Sequence, residues 1–201
     1  VGGDGSFGSY ELGNASALQF AQDAGGLYVV SDRDDLAASS GAAFRRRSSV
    51  VRIDKVAGTR STVLAEQSLL TTDQQRGGYV GVQVSGSQVF GLYETGTPDM
   101  AMSMASDGAA SSQRLQLLAA DVAAGADART LYDVPLDPAR ARYVLMGVIE
   151  GNAVLARLDL ESVGMESIAR SASMSVIPAS GAAPRVLSDF ARDYPLTGLV
   201  V

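Results

Sequence analysis

A strand-turn-strand pattern recurs along this chain and limits what it can fold into. The plainest copy runs from Val50 to Leu64: Val50-Val51-Arg52-Ile53 leads to Asp54, Gly58 follows, and the chain returns through Thr62-Val63-Leu64. A second copy runs from Leu117 to Asp121, passes Gly125 and returns through Arg129 to Tyr132. A third runs from Leu155 to Asp159, passes Gly164 and returns through Ile168. In each, the residue four before the Asp is bulky and apolar (Val50, Leu117, Leu155), and the residue just before it is apolar (Ile53, Ala120, Leu158). An Asp side chain can bond the backbone amides of a turn, and Gly accepts the positive φ that a reversal needs. The pattern therefore reads as a hairpin used repeatedly, which predicts an all-β antiparallel protein.

The strands around these hairpins follow the same logic. Ala17 to Phe20, a Gly25-Gly26 turn and Leu27-Tyr28-Val29-Val30 precede the first hairpin. Tyr79 to Val84, a turn at Ser85-Gly86-Ser87 and Val89 to Tyr93 precede the second. Tyr143 to Ile149 and a tight Glu150-Gly151-Asn152 turn precede the third. Two stretches interrupt the first two units. Residues 31 to 47 hold Asp32-Arg33-Asp34-Asp35 and Phe44-Arg45-Arg46-Arg47, too charged for a core, and read as a surface loop. Residues 95 to 113 hold Met100, Met102 and Met104. A short helix over 184 to 194 is expected, since Val186, Leu187, Phe190 and Tyr194 fall on one face, Pro184 suits a first turn and Pro195 blocks continuation.

The expected organisation is a leader over residues 1–14, flexible or pairing late, and one β-rich domain over 15–201. Within it, repeats occupy about 17–66, 79–134 and 142–170, with a remainder over 174–201. The Asp markers are unevenly spaced, but without the second insertion the first interval approaches the ~40–50 residues of a propeller blade. With four strands per unit, the chain resembles β-propeller repeat proteins over about residues 17 to 170. The resemblance rests on strand order, without a Trp-Asp signature or a Kelch double-Gly set. It implies antiparallel four-stranded blades; a β-sandwich of similar strand count is the alternative.

Composition closes several routes to function. With hydrophobic residues at 46%, a chain of 201 residues can build a core without disulfides. It has no Cys and no His, which removes thiol nucleophiles, imidazole ligands and the Ser–His–Asp triad together. The net charge of −6 argues against nucleic acid as a partner. No apolar run approaches the ~20 residues of a membrane helix. The start at Val1 without Met, followed by Gly2-Gly3-Asp4-Gly5-Ser6, suggests a processed, periplasmic or secreted chain. It also suits the tether of a lipoprotein whose lipid-bearing Cys would precede Val1.

What remains is surface chemistry. Asp32, Asp34 and Asp35 could offer oxygens to Ca²⁺, but the spacing lacks the Gly and terminal Glu of a calcium loop, so a solvated acidic stretch balanced by Arg45, Arg46 and Arg47 fits better. Met100, Met102 and Met104 alternate; soft sulfur suits Cu(I), yet without His or Cys a hydrophobic contact patch is the better reading. No cofactor and no metal are expected. Enzyme chemistry would have to rest on carboxylates such as Asp32, Asp35, Glu94 and Asp99, as in a hydrolase of glycans or similar polar substrates. The expected function is instead a non-catalytic interaction or scaffold subunit that contacts a protein partner or larger assembly. Its contact residues would be Asp32, Asp34, Asp35, Phe44, Arg45, Arg46, Arg47, Met100, Met102 and Met104. In a meander, the connections from second to third strands of neighbouring units emerge on one side, so both insertions are expected on one rim. The tight turn of the third unit is expected to leave that rim low.

Overall fold

A computed structural model of the protein describes residues 19–40, 43–72, 77–95, 113–122, 127–137, 140–163 and 166–190. These form three antiparallel four-stranded sheets, each a simple meander in chain order, and no helix occurs among the described residues. The first sheet contains β1 (Phe20–Gln22), β2 (Gly26–Ser40), β3 (Ala43–Asp54) and β4 (Arg60–Thr72). The second contains β5 (Gly78–Ser85), β6 (Gln88–Glu94), β7 (Arg114–Asp121) and β8 (Arg129–Pro135). The third contains β9 (Ala141–Ile149), β10 (Asn152–Val163), β11 (Glu166–Ile177) and β12 (Arg185–Phe190). The all-β organisation in antiparallel four-stranded sheets expected from the hairpins is therefore present, and it fits either the blade-like or the sandwich arrangement.

The sheets stack face to face with the second in the middle. One core joins Tyr28, Val30, Val50 and Leu64 of the first sheet to Tyr79, Val82, Val89 and Tyr93 of the second. The other joins Phe90, Leu92, Leu115 and Leu117 of the second to Leu145, Ala153, Leu155 and Ile177 of the third. Strand alternation explains why the Val89-Phe90-Gly91-Leu92-Tyr93 run is apolar throughout: a strand buried on both faces sends odd and even residues into different cores. Gly91 is small for a reason, because a Cβ there would strike Leu64 Cδ1 and sit 3.0 Å from the Tyr79 ring. Among the described residues neither core joins the first sheet to the third.

Turn chemistry sets the lower ends of the sheets. The Asp54 carboxylate accepts the N–H groups of Val56 and Ala57 at 2.9 and 2.8 Å, and Gly58 adopts φ 66, as the hairpin pattern requires. The β9–β10 reversal places Glu150 and Gly151 at φ 50 and 75, the type I′ geometry that matches strand twist. Three expectations need correction. Residues 31–40 and 43–47 are not a loop: they continue β2 and β3, because Ser31 to Asp35 pair with Arg45 to Ser49 across the hairpin and β4 joins alongside. Asp159 is not at a turn, since β10 continues to Val163 and the Asp159 carboxylate is taken by Ser171 at 2.8 Å and Arg157 at 2.7 Å. Of the helix expected over 184 to 194, Arg185–Phe190 is a strand, because pairing with β11 supplies its backbone partners, and 191–194 lie outside the described residues.

Candidate interaction rim

Meander topology puts the β2–β3, β6–β7 and β10–β11 connections on one side of the stack, here called the upper rim, and the Asp54 and Glu150-Gly151 turns on the other. The rim is uneven. β2 has 15 residues against 7 in β6, a difference of roughly 25 Å of strand at ~3.3 Å per residue. β10 and β11 have 12 each. The outer two sheets thus carry hairpins longer than any described strand of the middle sheet, and the third unit does not leave the rim low: its tight turn lies on the opposite side, and its second-to-third connection joins two strands of 12 residues.

The first hairpin is laced by charge. Asp34 pairs in register with Arg46 and Asp35 with Arg45, so acidic residues on β2 stand opposite basic ones on β3. Arg33 stands opposite Arg47, a repulsive arrangement by itself. Glu66 on β4 offsets it by accepting from Arg33 at 2.9 Å and from Arg47 at 3.3 Å. Both guanidinium side chains remain about half exposed, at 60% and 48%. Glu66 was not among the residues suggested by the sequence. Its role depends on a register shift in the β3–β4 pairing near Ser48, which no local pattern announces. Phe44 stands opposite Thr71, at the far end of the same hairpin.

Asp32 has a different task. It accepts the Ser48 hydroxyl at 2.5 Å, and the same Ser48 oxygen accepts the Tyr79 N–H at 2.8 Å, which ties the base of the hairpin to the first strand of the second sheet. Gly78 beside it holds φ 96, and a Cβ there would lie 2.6 Å from Ser48 Oγ. Tyr79 also donates through its hydroxyl to the Ala65 carbonyl at 3.2 Å and packs on Tyr93 at 5.2 Å between ring centroids. Burial raises the Tyr79 hydroxyl far above its ordinary range, and the nearby Tyr93 adds to this.

The second insertion leaves and returns at adjacent points of the middle sheet. Thr95 N–H donates to the Arg114 carbonyl at 2.9 Å, and Arg114 N–H donates to Thr95 Oγ1 at 2.7 Å. Beside that stem, Arg114 Nε meets Asp133 at 2.7 Å, which holds the Asp133 carboxyl below its ordinary range against a smaller opposing effect of burial. Met100, Met102, Met104 and Asp99 lie outside the described residues. On the third sheet, Arg157 and Asp159 pair at 2.7 Å and Arg170 pairs with Glu161. Tyr143 stands nearby; burial raises its hydroxyl, the Arg157 charge opposes this, and Tyr132 and Asp159 reinforce it.

Among the described residues, no three acidic side chains converge as a metal site would require, and no helix is long and apolar enough to cross a membrane. The structure places Asp32, Asp34, Asp35, Phe44, Arg45, Arg46 and Arg47 on one hairpin, with the second insertion rooted on the same rim. No protein-family model matches the chain, and neither does any curated protein or solved structure.

Proposed function

We propose that the chain is a non-catalytic interaction module that engages a protein partner or larger assembly through its upper rim. The observation that carries this reading is the Arg33–Glu66–Arg47 cluster: partly exposed charges fixed on a strand-built hairpin that is longer than the strands of the middle sheet. Surface ion pairs of this kind add little stability, about 0–1 kcal/mol, so a rigid charged surface of this length is better suited to recognition than to holding the fold. Arg is also enriched at protein interfaces. A carboxylate hydrolase is disfavoured because Asp32, one of its four candidate groups, is engaged by Ser48 at the seam between two sheets.

The test is affinity capture from the cells that make the protein, with the full chain and with Arg33→Glu, Glu66→Lys and Val56→Asp variants. Val56 lies on the lower rim and is 95% exposed. The upper-rim changes should remove the captured partner and Val56→Asp should keep it. The opposite result would place the contact on the lower rim.

A further inference from the structure

β10 is apolar on both of its faces. Ala153 and Leu155 belong to the second core together with Ile177 of β11. Alternation along the strand puts Val154, Ala156 and Leu158 on the opposite face, and pairing adds two residues of β11, since Val154 stands opposite Val176 and Leu158 opposite Ala172. These side chains belong to neither core, yet each is only 5% to 8% exposed. An antiparallel sheet with one face in water alternates apolar and polar residues, whereas a strand apolar on both faces is buried on both. A Leu on an uncovered face would keep much of its surface in water, so the burial of Leu158 calls for a further layer over the outer face of the third sheet.

Chain continuity and composition single out one segment for this role. β12 pairs with β11, and Phe190 at its end is in register with Ala172, hence in the same cross-strand row as Leu158. The chain therefore leaves β12 level with the least exposed residue of that face. The eleven residues 191–201, extended at ~3.3 Å per residue, reach roughly 36 Å, whereas three strand spacings of ~4.8 Å carry a chain from β12 across to β9. From Tyr194 to Val201 no charged side chain occurs, and Tyr194, Leu196, Leu199, Val200 and Val201 supply apolar surface. Residues 1–18 suit the role less well. They hold five Gly together with Asp4 and Glu11, and they lead into Gln19, whose carbonyl accepts the Val30 N–H at 3.0 Å on the first sheet.

We propose that residues 191–201 fold back as a strap over the outer face of the third sheet and bury Val154, Ala156, Leu158, Ala172 and Val176. The strap seals an apolar face that would otherwise invite association, so its release would turn that face into a contact surface.

The chain has no Cys, so Ala156→Cys supplies a unique thiol beneath the strap and Ala153→Cys one in the second core. Both should react slowly with a soluble thiol reagent in the full chain. In a chain ending at Phe190 the thiol at position 156 should react at least about tenfold faster while the thiol at position 153 stays protected, and a chain beginning at Gln19 should protect both. Leu199→Asp in the full chain should also speed the reaction at position 156, whereas Leu12→Asp should not; this comparison decides the matter if the shortened chain unfolds and bares position 153 as well. A thiol at position 156 that reacts in the full chain as fast as in urea would overturn the proposal. So would protection that survives both the loss of 191–201 and Leu199→Asp, or protection that depends on residues 1–18 instead.

Discussion

The Ser48 hydroxyl oxygen accepts the Tyr79 backbone N–H at 2.8 Å across the seam between the first and second sheets, while its proton goes to Asp32 at 2.5 Å. Ser48 is fully buried, so its bonds are made away from bulk solvent. Ser48→Ala should leave the Tyr79 N–H unsatisfied and destabilise the protein by about 1–3 kcal/mol, measured by urea denaturation. Gly78→Ala should be at least as damaging, since it forces a side chain into positive φ and against Ser48. A neutral Ser48→Ala would show that the seam is held by packing alone.

Two glycines in strands give opposite expectations. At Gly91 a methyl group would meet Leu64 and the Tyr79 ring, so Gly91→Ala should overpack the first core and cost about 1–3 kcal/mol. At Gly147 a Cβ would meet nothing within 4 Å, and Gly147→Ala should be within ~0.5 kcal/mol of the parent. Thermal denaturation of both variants checks the packing of Gly91 in the middle sheet against the first, with Gly147 on the third sheet as the control.

The lower rim predicts an acid response. Burial raises the Asp23 carboxyl, but the Tyr28 hydroxyl, the Gly26 and Gly25 amides and the Arg52 charge together outweigh it, leaving the group below 3.8. Asp54 is also below 3.8, chiefly through the Ala57 and Val56 amides, with burial opposing and Arg52 assisting. A carboxyl lowered in the folded state stabilises it at pH values above the unfolded value, and that contribution is lost as pH falls through 3.8 toward the folded value. Asp23→Asn should therefore lower stability at neutral pH and flatten the decline below about pH 5, followed by denaturation at a series of pH values. A decline as steep as the parent's would assign the acid response to other groups.

Much of the fold could be read from the sequence where local chemistry decides it. The Asp54–Gly58 turn, the Glu150-Gly151 reversal and the apolar β5–β6 hairpin are set by residues a few positions apart. Other features depend on partners distant in sequence. Asp32 to Asp35 looks like loop until Arg45 to Arg47 stands opposite it; the charges are tolerated in strands because each strand continues beyond the cores. Leu155 to Asp159 has the composition of the earlier hairpins, yet Ser171 and Arg157 satisfy Asp159 and β10 runs on. Arg185 to Phe190 has a helical spacing of apolar residues, overridden by the ladder to β11. Of the candidate rim, the charged residues were evident, but Glu66 and the structural use of Asp32 were not, because both depend on strand register.

If Glu66 serves recognition more than stability, its removal should separate the two. Glu66→Ala should change the unfolding free energy by less than ~1 kcal/mol, because its two ion pairs are partly exposed. The same variant should lose partner binding in a capture assay. A large loss of stability would make the cluster a structural element.

The most direct test of rim recognition is site-specific photo-cross-linking in the cells that make the protein. A photoreactive residue would be placed at Arg33 on the upper rim in one variant and at Val56 on the lower rim in another. Position 33 should give a discrete partner adduct and position 56 none. An adduct from position 56 alone would contradict it.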